Sequence, residues 1–509
     1  MASSLSDPRV WLVRDRPVYC QTPPFDASEE MPEWPGASLS TEDNPAYRSV
    51  RRLLHEMGLD AGRFGTSEWN PLGDIIQPGQ TVVLKPNLVT HLNHGAKNLK
   101  LTDTDSLVTH GSVVRAVADY AAHAASPGGR LIICDCPLQG TDWEAVTRLT
   151  GLDAVVRHLE VAFPNVDISL RDFRLGTATV RHGRIVARHD DATRRKEYAE
   201  VDLGDRSLLA TSDLRARDFG VTQYSRRRMR SAHSATVNKY LIPNDVLHAH
   251  VFINLPKMKT HMKTGVTCAL KNLVGINGHK DYLPHFRYGS PRHGGDEYPD
   301  GNWWWDVTWA ITHREWQLDG GKRKRLLDSL ARACRYASPL IGRFPRDRYQ
   351  LGGGSWYGND TAWRMCLDIN RAFLYYDRQS NEVRGQRPGQ VSYLALADAL
   401  VAGEGAGPLS PSPVQTGLMA ASYNPVALDT VATAIMGFEP ASVPLVARGY
   451  DVNDLGLTPF TVDDVRIIVD GKPRHVTSYV DEAQLPQFEP WGGFRGAIEK
   501  AGRRSDREA

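Results

Sequence analysis

The stretch "VLHAHVFINLPKMKTH", Val246 to His261, decides the fold that we expect. An apolar run typical of a buried strand ends at Asn254, and Lys257, Lys259 and a histidine follow directly. Short apolar runs that alternate with helices are typical of a parallel sheet covered on both faces. Ligands of such sheets bind beyond the carboxyl ends of the strands. The stretch therefore predicts cationic chemistry at the ligand edge of an α/β sheet.

The surrounding sequence repeats this alternation. Predicted strands and helices follow one another in "QTVVLKPNLV", "GSVVRAVADYAAHA", "GGRLIICDCP" and "DWEAVTRLTGLDAVVRHL". The segment "TATVRHGRIVARH" has the period of two and the central glycine of a hairpin. We therefore predict an α/β fold: a mostly parallel sheet with helices on both faces, an antiparallel elaboration and an insertion rich in Trp and His.

Composition shifts along the chain suggest its domain organisation. Residues 1–45 are rich in Pro, Ser and acidic residues, which predicts an irregular N-terminal arm. Residues 46–480 are expected to form a single α/β domain, with the elaboration at 166–235 and the insertion at 281–350 as a cover over the sheet. Residues 481–509 are expected to form a C-terminal tail.

Bulk composition gives few functional clues. The 509 residues carry a net charge of +2, with 41% hydrophobic and 24% charged residues, which is ordinary for a globular protein. We expect no nucleic-acid partner and no membrane partner, and the composition says nothing of the oligomeric state. The N-terminus lacks a basic head followed by an apolar run, and no stretch reaches the roughly 18 apolar residues of a membrane span, so a cytoplasmic location is expected. The six cysteines form no Cys-x-x-Cys pair, and we expect Cys134 and Cys136 to pack in the core.

Candidate site residues follow from the strand ends, because a parallel sheet presents all its carboxyl ends along one edge. Carboxylates and a histidine supply acid/base groups, and lysines supply positive charge for an anion. The predicted catalytic residues are His261, Lys259, Asp135 and Glu404. The predicted substrate-binding residues are Lys85, Asn87, His110, Lys257, Thr264, Thr267, Lys271, Asn272, Asn359 and Arg364.

Several of these residues have a structural alternative. The segment "TGVTCALKNLVG", Thr264 to Gly275, predicts a helix whose N-terminus binds an anion, but Thr264 as a simple cap explains the same pattern. His110 before a helix is either a cap or a site residue. Arg364 is placed to pair with Asp360 within one helix, which is an alternative to substrate binding.

Cofactor motifs are sparse. The loop "GEGAGP" lacks the spacing of a dinucleotide fingerprint, and no Walker motif is present. His279, His285 and His293, with Asp281, match no tight metal template. The chain has no iron–sulfur motif. A divalent metal held by carboxylate and amide oxygens stays open, because such sites leave no spaced motif.

The segments "VLKPNLV", "INLPKMKTHMKTGVTCALKNLVGINGHKDYLPH" and "ADALVAGEGAGP" resemble the bacterial and archaeal family called domain of unknown function 362. The resemblance extends over roughly Gln80 to Gly456, and "GSWYGNDTAWRMCLDINR" looks like a subgroup found near polysaccharide or natural-product genes. Many relatives carry a ferredoxin-like segment that this chain lacks. Relatives usually have Asp where this chain has Asn424. The resemblance implies no activity.

Three functions fit these residues, two of them enzymatic and the third a binding module. The preferred hypothesis is an enzyme that acts on a small anionic metabolite, such as a sugar acid, sugar phosphate or activated sugar, by Lys- and His-assisted proton transfer. Isomerisation, epimerisation and elimination all belong to that class, with or without a divalent metal. The alternatives are a redox enzyme that uses an iron–sulfur partner or a flavin, and a non-catalytic module that binds carbohydrate or anions.

Overall fold

The computed structural model describes residues 5–94, 104–181, 184–211, 213–224, 226–301, 303–318, 321–341, 350–385 and 391–500. Within these residues the chain forms one large mixed sheet, four two-stranded sheets and helices packed on both faces of the large sheet.

The strands alternate with helices along most of the chain, as the sequence predicts. In chain order they are β1 (Arg9–Arg14), β2 (Thr81–Pro86), β3 (Arg130–Asp135), β4 (Asp167–Asp172), β5 (Gly176–Arg181), β6 (Arg184–Asp190), β7 (Tyr198–Asp202), β8 (Phe219–Gly220), β9 (Lys239–Pro243), β10 (Val251–Leu255), β11 (Lys257–His261), β12 (Gly265–Thr267), β13 (Phe286–Arg287), β14 (Tyr376–Asp377), β15 (Glu382–Val383), β16 (Ser392–Ala406), β17 (Ser410–Ser422), β18 (Arg466–Val469) and β19 (Lys472–His475).

The α-helices range from single turns to the 21 residues of the longest one. In chain order they are α1 (Pro45–Glu56), α2 (Gly111–Ala125), α3 (Trp143–Leu149), α4 (Leu152–Ala162), α5 (Arg226–Ala232), α6 (Asn244–Leu247), α7 (Ala269–Asn272), α8 (Trp303–Trp316), α9 (Gly321–Ile341), α10 (Ala362–Leu374), α11 (Pro425–Ile435), α12 (Pro444–Ala447) and α13 (Val476–Glu482). In the part of the chain that is described, no helix is both long and apolar enough to cross a membrane.

The large sheet has the strand order β19-β18-β1-β17-β16-β10-β2-β3-β4, and β11 and β12 continue from β16. The strands from β16 through β10, β2 and β3 to β4 are parallel to their neighbours, whereas β1 and β16 both pair antiparallel with β17. The prediction of an α/β fold with a mostly parallel sheet is confirmed, with antiparallel pairing concentrated on the β17 side.

Helices cover the sheet as two layers, each with its own apolar core. The pleat of β2 shows the division, because Val83 packs in one core and Val82 and Leu84 pack in the other. Helices α1, α2 and α4 supply the second core, and α10 and α11 supply the first. Strands buried on both faces read as continuous apolar runs, which is the signal that the sequence carries.

Both chain ends differ from the predicted arm and tail. Within residues 1–45, Arg9–Arg14 is a strand that lies between β17 and β18, so the arm is not irregular throughout. Within residues 481–509, Phe488 and Phe494 are buried against the core. In both places a short apolar segment joins the core because the sheet and helices offer it a surface, a partner that local composition does not reveal.

The two insertions lie beside the sheet. Strands β5 and β6 pair as the predicted antiparallel hairpin. The elaboration begins later than predicted, because β4 at its start is the parallel edge strand of the large sheet. Residues 281–350 contribute the helical hairpin of α8 and α9, and Trp305, at the centre of "WWWDV", is fully buried.

Candidate functional site

A cavity of about 1100 Å³ lies beyond the carboxyl ends of β2 and β3, where the sequence predicts the ligand edge. Its floor comes from these strand ends together with β11, α7 and the loops that follow them. Seven predicted site residues line it: Lys85, Asn87, Asp135, His261, Thr267, Lys271 and Asn272. Polar residues from separate strand ends therefore line one connected cavity.

An ion pair forms the floor of the cavity. Lys85 Nζ lies 2.8 Å from Asp135 Oδ1, and both side chains are almost completely buried. Lys85 also donates to the carbonyl oxygen of Pro86 at 2.7 Å. Asp135 accepts from the backbone N–H groups of Leu88 at 2.6 Å and Cys136 at 2.8 Å. These bonds satisfy the carboxylate, so the pair is fixed as part of the floor.

Gly275 allows this pair to sit close to the backbone. A Cβ at this position would lie 2.7 Å from Lys85 Nζ and would clash with Asp135 Oδ1. Only a residue without a side chain leaves that space to the two charged groups.

Asn272 connects the floor to the neighbouring strands. Its amide nitrogen donates to Asn254 Oδ1 at 2.7 Å and to the carbonyl oxygen of Lys85 at 3.1 Å. Its amide oxygen accepts from Asn87 Nδ2 at 3.2 Å. A single side chain thus fixes the ends of β2 and β10 relative to α7, a polar network that orients the floor.

Three further lysines surround the cavity without a carboxylate partner. The ammonium groups of Lys271 and Lys280 make no hydrogen bond or ion pair within the described residues, and that of Lys263 donates only to the carbonyl oxygen of Gly353. Burial and the nearby Lys271 lower the pKa of Lys280 to about 8. Burial also lowers the pKa of Lys263 to about 8. An excess of positive charge in a half-enclosed space favours an anionic ligand.

Two of the four histidines that line the cavity, His261 and His285, carry opposite tautomers. His261 Nδ1 accepts from the backbone N–H of Lys263 at 3.0 Å, so in the neutral ring the proton is on Nε2. His285 Nδ1 lies 2.8 Å from the carbonyl oxygen of Leu283, which can only accept, so the proton is on Nδ1 and Nε2 carries a lone pair. Burial and the surrounding lysines hold the pKa of both histidines well below the usual range. One ring can therefore donate from Nε2 while the other accepts there.

The cover is formed partly by α8. Trp309, Thr312, Glu315 and Trp316 line the cavity opposite the strand ends. The two tryptophans pack with each other, with ring centroids 6.0 Å apart, and both are nearly buried. The insertion thus supplies an aromatic wall against the cationic floor.

Lys257 is placed elsewhere, in the sealed interior. Its Nζ lies 2.7 Å from Asp398 Oδ2, and neither side chain is exposed. Tyr19 donates to the same carboxylate at 2.5 Å, and His110 donates to it through its backbone N–H at 2.9 Å. The predicted substrate-binding role of Lys257 is corrected to a buried ion pair under the N-terminal segment.

His110 belongs to this structural cluster as well. Its ring stacks on Tyr19 with centroids 4.1 Å apart, and its Nδ1 accepts from the backbone N–H of Ser112 at the start of α2. Burial and the charge of Lys257 lower the pKa of His110 to about 3. Of the two alternatives, the helix cap is the one that the structure shows, and the ring does not line the cavity.

Two predicted catalytic residues, Lys259 and Glu404, do not line the cavity. Lys259 is fully buried and donates to the carbonyl oxygens of Leu107 and Pro408. Glu404 lies far along β16, where it accepts from the backbone N–H of Glu489 at 2.8 Å. The prediction that both share a site with His261 is corrected, because the ammonium group of Lys259 and the carboxylate of Glu404 each bond backbone groups of residues outside the cavity lining, Leu107 and Glu489.

No helix begins at Thr264. Gly265–Thr267 is a strand, and α7 starts only at Ala269. Asp429 occupies the N-terminus of α7, where it accepts from the backbone N–H groups of Ala269 at 2.6 Å and Leu270 at 3.1 Å. The predicted helix N-terminal anion site is therefore corrected, since a side chain of the protein already fills it. Thr264 donates to the carbonyl oxygen of Val266 and does not line the cavity.

Asn359 and Arg364 line a separate cleft of about 420 Å³. Arg364 pairs with Asp360 at 3.0 Å, which is the alternative that the sequence offered. Asn359 donates to the carbonyl oxygens of His285 and Gly354 at 2.9 and 2.7 Å, so its side chain shapes the loop behind the cavity.

Asn424 has a structural role. Its side chain accepts from the N–H groups of Val426 and Ala427 at the start of α11, and it donates to the carbonyl oxygens of Leu5 and Leu457. A carboxylate could accept but not donate here. The amide therefore suits this position, which lies outside the cavity.

The described residues were also compared with the ligand groups that a bound metal ion would need. No group of three or more His, Cys, Asp or Glu side chains suited to a metal occurs among the described residues. His279 Nε2 lies 3.2 Å from Asp190 Oδ1, whereas His285 faces the cavity. All six cysteines are free, and Cys134 and Cys136 pack in the core as predicted.

Sequence reasoning missed Lys263, Lys280 and His285 as site residues. Lys263 follows His261 by two residues, and the other two lie in "GHKDYLPH" next to the predicted floor. Their chemistry was visible, but the direction of their side chains was not, because Lys280 lies in the short 3-10 segment Lys280–Tyr282 and Lys263 in a turn, and such brief elements leave no repeating pattern in the sequence.

Comparison with known proteins connects the chain to one family. Residues 204–434 match the family described as Domain of unknown function (DUF362), which confirms the expected resemblance over that range. A curated protein of Synechocystis sp. named thylakoid-associated protein sll1697 is 23% identical over 450 residues, which are 88% of this chain and 86% of that protein. Residues 204–434 include five residues that line the cavity, namely His261, Lys263, Lys271, Lys280 and His285. Lys85 and Asp135 lie outside this range.

Proposed function

We propose that this protein, which carries a DUF362 domain over residues 204–434, is an enzyme that binds a small anionic metabolite in the cavity and transfers a proton within it. The observation that carries the proposal is the set of three lysines, Lys263, Lys271 and Lys280, that surround one cavity without a carboxylate partner. Such a site favours carboxylate or phosphate, so sugar acids, sugar phosphates and activated sugars are the candidate substrates.

The proton transfer is assigned to the two histidines. His285 Nε2 presents a lone pair and accepts a proton from a carbon next to the substrate carbonyl or carboxylate. His261 Nε2–H donates a hydrogen bond to the oxygen on which negative charge develops. The bound anion raises the pKa of both rings and so offsets the effect of the lysines. Return of the proton to the same or a neighbouring carbon gives epimerisation or isomerisation.

Anion titration tests the binding step. Sulfate is titrated into the wild type, Lys271→Ala and Lys280→Ala, with tryptophan fluorescence as the readout because Trp309 and Trp316 line the cavity. Lys472→Ala is the matched control, since Lys472 is an exposed lysine of β19. Each cavity variant should bind sulfate at least about fivefold more weakly, and the control should match the wild type. Equal affinities in all four proteins would contradict the proposal.

Deuterium exchange tests the chemistry. Sugar acids and sugar phosphates are incubated with the protein in D₂O, and loss of a carbon-bound proton is followed by nuclear magnetic resonance. His285→Asn should abolish exchange while sulfate affinity stays within about twofold of the wild type. Sulfate binding without exchange of any candidate would favour the binding module. Stoichiometric iron or a visible absorption band would favour the redox alternative, and stoichiometric magnesium or manganese would add a metal to the site.

A further inference from the structure

Helix α9 presents its apolar side chains to solvent. Leu326, Leu330, Leu340 and Ile341 are 60%, 44%, 87% and 52% exposed. Large apolar side chains on a helix normally pack inward, and contiguous exposed ones mark interaction surfaces. The helix therefore turns its most apolar face toward solvent, although burial of that face would stabilise the chain.

The inward face of the same helix is small and polar. Asp328, Ala331 and Ser338 are its buried residues. Helix α8 lies against this face, and Trp304 Nε1 donates to the carbonyl oxygen of Cys334 at 3.0 Å. Packing within the hairpin thus leaves the leucines without a cover in the described structure.

The exposed apolar residues form one stripe. Leu330, Leu340 and Ile341 follow Leu326 by four, fourteen and fifteen residues, and the helix continues through Pro339 to Ile341, so at 3.6 residues per turn the four side chains fall on one side, within about 100°. Lys322 and Arg323 lie at the two edges of this sector, at the N-terminal end of the helix. A single flat surface can therefore contact all of them at once.

The helix is also strongly basic. Its acidic side chain, Asp328, pairs with Arg332 at 2.5 Å. Two other basic residues of the helix face the protein, because Lys324 lies 3.6 Å from Glu315 and Arg335 lines the cavity. Exposed Lys322, Arg323 and Arg325, near the N-terminal end of the helix, make no ion pair within the described residues and supply the free positive charge.

We propose that α9 is a docking helix that lies flat on an anionic phospholipid surface, with the leucine stripe in the lipid and the basic residues at the phosphate groups. A basic helix with one apolar stripe has the chemistry of an interfacial amphipathic helix. A second copy of this chain fits less well, because two such helices would bring their positive charges together. The proposal is independent of the proposed function and departs from the sequence-based expectation of no membrane partner.

Vesicle sedimentation with the full-length chain tests this proposal. The wild type should sediment with vesicles of phosphatidylcholine containing about 30% phosphatidylglycerol, and at least about fivefold less with pure phosphatidylcholine or in high salt. Leu326→Ser with Leu340→Ser should lower the bound fraction about fivefold or more. Leu39→Ser with Val452→Ser removes two apolar side chains that are 47% and 97% exposed elsewhere, and should have no effect.

Each other outcome overturns the proposal. Equal sedimentation with neutral and anionic vesicles, or an unchanged bound fraction in the leucine variant, would show that α9 is not the docking element. Light scattering provides a second readout: a dimer that the leucine variant converts to a monomer, without vesicle binding, would assign the stripe to an interface between copies. Circular dichroism should be unchanged in all variants, because the substituted side chains are exposed.

Discussion

Two buried lysine–aspartate pairs lie in the same sheet, yet only one of them lines the cavity. Lys85–Asp135 lines the cavity, with 2.8 Å between the charged atoms. Lys257–Asp398, at 2.7 Å, is sealed beneath Tyr19. The pleat explains the difference: Lys85 follows Val83 of one core by two residues, whereas Asp398 follows Leu396 of the other. A charged residue at a strand end is therefore a site residue only where its face of the sheet is left open.

Removal of the sealed lysine should have the largest effect. Lys257→Ala leaves Asp398 buried without its cation and should lower the free energy of unfolding by about 3–5 kcal/mol. Lys85→Ala should cost clearly less, because Asp135 lines the open cavity, where water can replace the lost cation, whereas Asp398 is fully enclosed. Urea unfolding of both variants measures the difference. Equal losses would break the distinction between the two pairs.

Gly275→Ala should disturb the Lys85–Asp135 pair of the cavity without removing a charge. The added methyl group would meet Lys85 Nζ and Asp135 Oδ1, so the pair must shift. We expect a loss of about 1–3 kcal/mol in the free energy of unfolding, together with weaker sulfate binding. The control is Gly62→Ala, where an added Cβ meets nothing within 4 Å. Unchanged sulfate affinity in Gly275→Ala would separate the pair from the anion site.

A rise in pH should change two properties of the cavity in opposite directions: sulfate affinity should fall and the free energy of unfolding should rise. Lys263 and Lys280 each have a pKa of about 8 in the folded chain, below the usual 10.5. Sulfate affinity should fall about tenfold, equivalent to about 1.4 kcal/mol, as pH rises through this value and both lysines lose their charge. Sulfate is the probe because its own charge stays constant there.

Stability should move the other way. Between pH 8 and 10.5 the unfolded chain binds more protons at these two lysines than the folded chain does, so they contribute a rise in the free energy of unfolding. Comparing the wild type with Lys280→Met across this window isolates that contribution. A sulfate affinity that does not change with pH would show that these lysines do not hold the anion.

The smallest effect is expected at Asn424, which caps α11 and does not line the cavity. Asn424→Asp keeps the cap of α11 but cannot donate to the carbonyl oxygens of Leu5 and Leu457. The free energy of unfolding should fall by about 1 kcal/mol, with sulfate affinity unchanged. A lower sulfate affinity in Asn424→Asp would contradict this expectation and would show that Asn424 contributes to anion binding.

The sequence by itself determined the type of fold and the chemistry of its ligand edge. Strand-forming apolar runs that alternate with helices lead to a mainly parallel sheet, and Lys85, Asp135 and His261 follow from the ends of such runs. These are local properties, because a strand buried on both faces and a polar residue at its end are written in consecutive positions.

Only the tertiary structure decided which charged residues share the cavity. Lys257 is sealed because Tyr19, from a segment read as an irregular arm, returns to cover it. Asp429, which is far away in the sequence, accepts hydrogen bonds at the N-terminus of α7, where the sequence analysis predicted a bound anion. Lys280 and His285 reach the cavity from a short 3-10 segment and the irregular chain that follows it, and neither leaves a repeating pattern in the sequence. Each of these outcomes depends on long-range packing, which the order of neighbouring residues does not encode.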